Sequence, residues 1–186
     1  MPSLRPDSAG ASPDAQPPAV RDELLRHLDA AYNLARWLCR NDHDAQDVVQ
    51  ESFLRAVRFA DACRSDSARA WLLQIVRNTC HTWLARNGAT SSSSEALEGA
   101  AAPESALPDL AVQRRQDAGA VRGAIEQLPE DLREVIVLRE IEGLSYKEIA
   151  QIAEMPIGTV MSRLFRARER LKELLAGYHG EVYGEL

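Results

Sequence analysis

Apolar residues recur at three- and four-residue steps along three stretches between Val20 and Asn87, which is the spacing of one face of an α-helix. The polar run 41–44 separates the first two stretches, and Asp42 or Asp44 is placed to cap the second helix. No stretch alternates apolar and polar residues, so we predict a small bundle of three helices and no sheet. The positions expected to face the core are Leu24, Leu28, Ala31, Ala35, Leu38, Ala45, Val48, Val49, Phe53, Ala56, Val57, Leu72, Ile75, Val76, Thr79 and Trp83.

A second helical pattern runs from about Val112 to Leu175. Its first helix ends at Pro129, which cannot continue a helix from the preceding turn. Gly143 is placed as the C-cap of its second helix, because glycine adopts the left-handed conformation at low cost. The apolar positions of these two helices are Val121, Ile125, Leu128, Leu132, Val135, Ile136 and Leu138.

The segment 144–171 has the pattern of a helix-turn-helix. Ser145 and Glu148 form an S-x-x-E capping box that starts one helix, and Pro156 suits the first position of the next. Five basic residues and one acid lie between 161 and 172. A cationic helix beside a short turn is typical of insertion into a DNA major groove, although a solvated surface helix has the same composition. The inward positions of the second helix are Val160, Leu164, Ala167 and Leu171.

Three segments carry no helical apolar pattern. Residues 1–19 are rich in Pro, Ala and Ser and lack the apolar stretch of a signal peptide, so we expect a disordered tail. Residues 88–111 combine a serine run, two prolines and four acids without a base, which predicts a flexible acidic linker. Residues 176–186 are expected to be a short tail.

The charge is unevenly distributed along the 186 residues, whose net charge is −6. Residues 55–86 contain six arginines and two aspartates, and the helix near 161–172 is also basic. An acidic total excludes a protein that coats DNA through charge alone. Two basic surfaces joined by an acidic linker instead predict two contacts with one polyanion, and poor DNA binding by the free protein.

The residues give little support for catalysis, so we expect neither an enzyme nor a bound cofactor or metal. The chain has no glycine-rich phosphate loop, metal-ligand cluster or nucleophile motif. Three cysteines without C-x-x-C spacing, at 39, 63 and 80, favour a reduced, cytoplasmic protein. No apolar run reaches the length needed to span a membrane, so we expect no membrane insertion of its own.

Two polar surfaces of the first bundle are candidate contacts. Trp71, Trp83, Arg77 and Asn78 lie near the polar loop 64–67, and aromatic residues among arginines can hold unstacked bases. Packing of both tryptophans in the core is the alternative for those two residues. Asp47, Gln50, Glu51 and Arg55 lie on one face of the second helix; a solvated face and a protein-docking face are both consistent with them.

Taken together, these segments resemble a bacterial sigma factor of the small extracytoplasmic-function (ECF) group. DAQDVVQESFLRA (44–56) resembles the family's region-two helix that binds RNA polymerase. ARAWLLQIVRNTCHTWL (68–84) resembles the segment that melts and reads the minus-ten promoter element. LPEDLREVIVLREIEGLSYKEIAQIAEMPIGTVMSRLFRARERL (128–171) resembles region four, which reads the minus-thirty-five element. The resemblance implies an all-α fold of two small helical domains, at 20–87 and 112–175, joined by the flexible linker.

The resemblance also implies roles for individual residues and partners. Core RNA polymerase, through its β′ clamp helices and β subunit, and promoter DNA are the implied partners, together with an anti-sigma factor. One departure is Met161, where many members have Lys or Arg. The implied polymerase-binding residues are Asp47, Gln50, Glu51 and Phe53, with Phe53 expected mainly to pack. The implied minus-ten residues are Arg64, Ser65, Asp66, Ser67, Ala68, Trp71, Arg77 and Asn78. The implied minus-thirty-five residues are Thr159, Ser162, Arg163, Phe165 and Arg166.

We therefore expect a promoter-specificity subunit that directs transcription initiation. The sequence leaves two rival hypotheses open. A stand-alone helix-turn-helix regulator would dimerise on a palindrome without polymerase, but it would not need the region-two-like half. A sigma mimic that titrates an anti-sigma factor would not need the DNA-facing arginines.

Overall fold

A computed structural model of the protein describes residues 18–60, 63, 68–87 and 109–183. Within these ranges the chain forms helices and short connections and contains no strand. The all-α fold predicted from the apolar spacing is therefore confirmed. The predicted N-terminal tail up to residue 17, the loop 64–67 and the linker residues 88–108 lie outside the described ranges.

Four helices form the first bundle, because a turn at Arg26 and His27 divides the first apolar stretch in two. Helices α2, α3 and α4 pack on one another, and the short α1 lies against α3 and α4. Each fully buried leucine in this core contributes about 1.5–3 kcal/mol relative to an exposed one. The helices are α1 (Pro18–Leu25), α2 (Leu28–Cys39), α3 (Asp42–Arg58) and α4 (Ala68–Asn87). The largest buried side chains are Leu24, Leu34, Leu38, Leu72 and Leu73.

Asn41 caps helix α3. Its side-chain oxygen accepts hydrogen bonds from the backbone N–H groups of His43, at 2.8 Å, and Asp44, at 3.2 Å. The predicted caps Asp42 and Asp44 were wrong: both lie in the first turn. Their carboxylates there complement the positive end of the helix dipole.

The second bundle consists of four helices and one π-helical turn. Two of its bounds differ from the predicted segments, because α5 begins inside the predicted linker and α8 continues into the predicted C-terminal tail. Val121, predicted to face inward, is 43% exposed, whereas Ile125 and Leu128 are buried as predicted. Ala124, which was not predicted, is buried as well. The elements are α5 (Asp109–Glu126), α6 (Glu130–Ile136), the π-helical turn (Val137–Ile141), α7 (Tyr146–Ile152) and α8 (Ile157–Tyr183).

Gly143 ends the π-helical turn, as the sequence predicted. The N–H of Glu142 bonds to the carbonyl of Val137 at 3.0 Å, and the N–H of Leu144 to that of Leu138 at 3.1 Å. Gly143 has φ +69°, and an added Cβ would meet nothing within 4 Å. The backbone conformation, rather than crowding, is therefore what favours glycine here.

The two bundles pack against each other, which the sequence pattern did not predict. Helix α4 lies against α7, and α2 lies against α6 and the π-helical turn. The buried residues of both bundles form one contiguous cluster. This contact determines what surrounds the polar face of α4.

Candidate nucleic-acid and polymerase interfaces

The capping box predicted at the start of the helix-turn-helix is present. Ser145 Oγ accepts a hydrogen bond from the backbone N–H of Glu148 at 3.3 Å, and a Glu148 carboxylate oxygen accepts one from the N–H of Ser145 at 2.8 Å. Hydrogen bonds from the Ser145 hydroxyl and backbone hold the pKa of Glu148 below its ordinary value. The box fixes where α7, the first helix of the helix-turn-helix, begins.

The turn between α7 and α8 passes through Glu154, a left-handed residue with φ +53°. The carbonyl of Pro156 then accepts hydrogen bonds from the N–H groups of Thr159, at 2.9 Å, and Val160, at 3.2 Å. Pro156 thus lies one residue before the first helical residue, Ile157, rather than at the first helical position that we predicted.

Helix α8 has a buried face and an open face. Three of the predicted minus-thirty-five residues, Ser162, Phe165 and Arg166, are exposed, and Phe165 is 67% exposed. The side of α8 opposite the open face packs in the core, as predicted for the inward stripe. Its residues Val160, Leu164 and Ala167 are buried and Leu171 is partly buried.

Arg163 and Thr159 stand apart from that open face. The Arg163 Nε lies 3.6 Å from a carboxylate oxygen of Asp131 on α6, and its side chain is only 25% exposed. Thr159 is half-buried. Ser162, Phe165 and Arg166 are therefore the members of the predicted set that share one exposed surface.

The other cations of α8 are mostly neutralised by nearby carboxylates. Arg168 bonds to Glu140 at 2.7 Å, and that contact, with one from Tyr146, raises the pKa of its guanidinium. Two further pairs lie along α8 itself. They are Arg170 with Glu173 at 2.7 Å and Lys172 with Glu169 at 2.6 Å.

Two apolar residues of α8 extend the open face beyond the predicted set. Ile157 is 46% exposed and Met161 54% exposed, and both precede Phe165 at four-residue steps. Their spacing was visible in the sequence as apolar positions outside the inward stripe. The family resemblance marked Met161 only as a departure from the Lys or Arg of many members.

Three of the four predicted polymerase-binding residues lie on the outer face of α3. Gln50 is exposed, and the side chains of Asp47 and Glu51 are 43% and 41% exposed. Phe53 packs against the core, as expected. Leu54, which we did not predict, is 63% exposed on the same face, four residues after Gln50 and three after Glu51. In the sequence, Leu54 is recognisable as a leucine within a polar stripe of the helix.

Near the beginning of α4, the predicted minus-ten residues Ala68 and Trp71 are buried and partly buried, respectively. Ala68 is 3% exposed, so this residue offers almost no surface to DNA in this structure. Trp71 and Trp83 are partly buried and pack against the core, in agreement with the packing alternative. Four other predicted minus-ten residues, Arg64, Ser65, Asp66 and Ser67, lie outside the described ranges.

Farther along α4, Arg77 and Asn78 face the second bundle. Arg77 Nε donates to Glu134 on α6 at 2.6 Å. The Asn78 side-chain amide lies 3.5 Å from Glu154, to which Gln74 donates at 2.8 Å. Hydrogen bonds from Gln74 and Asn78 lower the pKa of Glu154. Local sequence patterns could not predict these pairings, because the partners lie 57–80 positions apart.

The cysteines form no metal site in the part of the chain that the structure describes. Cys39 and Cys80 are buried with their sulfurs 3.7 Å apart, and Cys63 is half-buried. The hydrogen bond with Cys39 and burial raise the pKa of the Cys80 thiol. A thiol held in its neutral form is a poor nucleophile. Among the described helices, none is long and apolar enough to cross a membrane.

Comparisons with known proteins identify both bundles. Residues 24–90 match the family model for sigma-70 region 2, and residues 118–171 match that for sigma-70, region 4. The ECF RNA polymerase sigma-E factor of Salmonella typhimurium is 45% identical over 137 residues, which cover 69% of this chain and 72% of that protein. The chain belongs to the ECF sigma factors.

Another sigma factor and two solved structures are also similar to this ECF sigma factor. The RNA polymerase sigma-H factor of Pseudomonas aeruginosa is 42% identical over 161 residues, 82% of this chain and 83% of that protein. The sigma factor RpoE of Bartonella quintana, solved in complex with the anti-sigma factor NepR, superposes with TM-score 0.66 at 31% identity, covering 85% of this chain and 97% of that one. CnrH, solved with the cytosolic domain of CnrY, gives TM-score 0.63 at 27% identity, covering 89% and 92%.

The resemblance stated from the sequence is therefore confirmed. An ECF sigma factor is a transcription initiation factor: it gives RNA polymerase its promoter specificity. The region 2 match accounts for the half of the chain that a stand-alone helix-turn-helix regulator would not need.

Proposed function

We propose that this ECF sigma factor binds core RNA polymerase through α3, holds the melted minus-ten strand with α4 and the segment before it, and reads the minus-thirty-five element with α8. The observation that carries the proposal is the open face of α8. Ser162, Phe165 and Arg166 stand exposed on a helix whose opposite face is fixed in the core. A helix held in this way can enter a major groove without rearranging.

The open face of α8 offers three kinds of base contact. A guanidinium such as that of Arg166 can bind guanine O6 and N7 with two hydrogen bonds, and the Ser162 hydroxyl can donate or accept. The ring of Phe165 fits the methyl group of thymine, as does the Met161 side chain beside it. Arg163, which contacts Asp131, stabilises the position of this helix face.

The outer face of α3 combines charge with one apolar group. Asp47, Gln50 and Glu51 provide acceptors for a basic partner surface, and Leu54 provides an exposed apolar centre among them. Apolar centres ringed by polar residues are typical of protein interfaces. We assign this face to the β′ clamp helices, and contacts of the second bundle to the β subunit.

Helix α4 supplies the groups for the melted strand. Arg77 suits a phosphate and Asn78 a base edge, while Trp71 supports the helix from the core side. Arg64, Ser65, Asp66, Ser67 and Ala68 are proposed to complete this site on the basis of the family resemblance.

We further propose that the protein acts in the cytoplasm, needs no metal or cofactor, and is restrained by an anti-sigma factor. Two solved relatives support the last point: RpoE of Bartonella quintana was solved with the anti-sigma factor NepR, and CnrH with the cytosolic domain of CnrY.

The experiment that tests the function is in vitro transcription with bacterial core polymerase on a promoter library, with and without this protein. We expect a discrete set of promoters to fire only when it is added. No stimulation combined with tight binding to duplex DNA alone would favour a stand-alone regulator. Neither activity would favour a mimic that titrates an anti-sigma factor.

A further inference from the structure

The exposed side of α8 carries two parallel rows of residues. The first row is apolar and follows four-residue steps through Ile157, Met161 and Phe165, which are 46%, 54% and 67% exposed. The second row lies one position later in the sequence and contains Ser162 and Arg166, both exposed. Residues four positions apart are neighbours on a helix surface, so each row is continuous. We call Ile157, Met161 and Phe165 the apolar row.

The apolar row ends near an acidic residue on each side. Glu154 comes three residues before Ile157, and Glu169 comes four residues after Phe165; each carboxylate accepts a hydrogen bond within the chain. Carboxylates are repelled by DNA phosphates, so the length between them is the part of this face that suits DNA. At about 1.5 Å per residue the row is about 12 Å long, which matches about three to four base pairs.

The apolar row has the character of a binding surface. Its side chains contribute little to the core, because Val160 and Leu164 on the opposite side of α8 are the ones that are buried. Adjacent exposed apolar side chains rimmed by polar residues mark binding sites on soluble proteins. Among the groups that base pairs present in the major groove, the 5-methyl group of thymine is the one that favours apolar contact.

Met161 changes the kind of base contact that α8 can make. Arginine or lysine, which many family members have at this position, donates hydrogen bonds to guanine O6 and N7. The thioether of methionine has no donor, but its flexible and polarisable chain adapts to an apolar surface. The substitution therefore favours a base with a methyl group over a base with two acceptors.

We propose that Ile157 and Met161, together with Phe165, read the 5-methyl groups of thymines in the minus-thirty-five element, and that Met161 determines specificity in this sigma factor. The second row supplies hydrogen bonds to the neighbouring base edges through Ser162 and Arg166. This inference rests on the proposed role of α8. It adds the chemical group that is recognised and the contribution of the whole apolar row.

The expected size of each contact follows from the hydrophobic effect. Burial of one methyl group contributes about 0.8 kcal/mol, which is about a fourfold change in affinity. Contributions from well-separated base pairs are roughly additive. Loss of two contacted methyl groups should therefore weaken binding by about fifteenfold.

The experiment compares thymine with deoxyuridine, which lacks only the 5-methyl group and keeps every hydrogen-bonding group. Holoenzyme containing wild-type protein first transcribes a library in which the minus-thirty-five positions are randomised. Duplexes with the selected element are then prepared with deoxyuridine at one thymine position at a time, and holoenzyme binding is measured by fluorescence anisotropy. The control duplex carries its deoxyuridine in the spacer between the two promoter elements.

We expect the selected elements to contain neighbouring A·T pairs, and deoxyuridine at a contacted position to weaken binding by wild type about fourfold. The control duplex should bind like the all-thymine duplex. M161A should bind the all-thymine duplex at least fourfold more weakly and lose the deoxyuridine penalty at one position while keeping it at the others. V121A, which shortens an exposed apolar side chain on α5, should keep every penalty.

M161R tests the same residue by introducing a donor. It should replace the preference for thymine at the contacted position with a preference for guanine. It should also make the slope of log affinity against log salt concentration steeper by about 0.9 if the arginine contacts a phosphate as well. Met161 is exposed, so the helical circular dichroism of M161A and M161R should equal that of wild type.

Two results would overturn the inference while leaving the proposed function intact. The first is equal binding of thymine and deoxyuridine duplexes by a holoenzyme that transcribes, which would make the apolar row a surface for another protein. The second is an M161A holoenzyme that keeps every deoxyuridine penalty. If wild type directs no transcription from any promoter, the proposed function fails and the inference fails with it.

Discussion

Arg77 on α4 and Glu134 on α6 are joined by a 2.6 Å hydrogen bond, with the glutamate almost fully buried. One residue belongs to the helix that region 2 contributes and the other to region 4. An arginine that we predicted to contact DNA is thus neutralised within its own chain. The pair joins the two bundles through a side chain whose proposed role is a contact with DNA.

The first prediction separates Arg163 and Arg166, two of the four arginines of α8. Arg166 is exposed on the open face, whereas Arg163 is turned towards Asp131. We expect R166A to weaken binding to minus-thirty-five duplex DNA by about 1–3 kcal/mol, roughly tenfold to a hundredfold, as for loss of one bidentate base contact. R163A should lose much less. Fluorescence anisotropy with holoenzyme and transcription from the selected promoters measure both effects.

R170A is the matched control, because Arg170 lies on the same helix and bonds to Glu173. It should leave promoter choice unchanged. Equal losses from R163A and R166A would show that Arg163 leaves Asp131 when DNA binds, and would contradict the assignment of the open face.

The second prediction concerns Leu54, which is 63% exposed on α3. We expect L54A to weaken assembly with core polymerase by about 1–3 kcal/mol if this leucine is a buried centre of that interface. The free energy of unfolding should stay within about 0.5 kcal/mol of wild type, as for an exposed side chain. Competition with a labelled sigma factor for core polymerase measures assembly, and urea titration measures stability.

L25A provides the control for that substitution. Leu25 is a leucine of α1 with comparable exposure, 44%, but it lies outside the α3 face. It should assemble like wild type. Normal assembly of L54A would remove Leu54 from the docking face.

Local patterns in the sequence predicted much of this fold. The capping box at Ser145, the glycine at 143 and the inward stripe of α8 were all determined by residues within a few positions of one another. Side chains exposed on those helices could be inferred in the same way, because helical spacing determines the face on which a residue lies. Asn41 was missed because three capping residues, Asn41, Asp42 and Asp44, lie within four positions, and only the backbone conformation selects one of them.

Contacts between distant residues could not be predicted in this way. The pairing of Arg77 with Glu134, or of Arg163 with Asp131, depends on how helices from separate segments meet. Spacing shows which face a charge occupies but not what lies opposite. For that reason neither Asp131 as the partner of Arg163 nor the glutamates opposite the polar face of α4 could be predicted.

The third prediction uses the capping box. S145A removes a hydroxyl that accepts from the N–H of Glu148 and donates to its carboxylate. We expect a loss of about 1 kcal/mol in the free energy of unfolding at neutral pH, as for other N-cap serines. Urea denaturation followed by circular dichroism measures it. S162A replaces an exposed serine of α8 and should change the free energy of unfolding by less than about 0.5 kcal/mol.

The same variant should show a defined pH dependence. Because the folded pKa of Glu148 is lowered, its stabilising contribution is complete above the unfolded pKa and disappears as pH falls through the folded value. The difference between wild type and S145A should therefore shrink in acid. A difference that grows on acidification would show that the cap does not act through the ionised carboxylate.

The fourth prediction contrasts two glycines with equal free space. An added Cβ meets nothing within 4 Å at Gly143 or Gly158, but only Gly143 has a positive φ, at +69°. G143A should lower the free energy of unfolding by about 1–2 kcal/mol, the cost of a left-handed conformation for a residue with a Cβ. G158A lies within α8 and should raise it by about 0.5–1 kcal/mol, because alanine loses less backbone entropy on entering a helix. Thermal and urea denaturation of the two variants measure whether each substitution lowers or raises the free energy of unfolding. If both substitutions stabilise, the π-helical turn does not require the left-handed conformation, and the connection to α7 can form by another route.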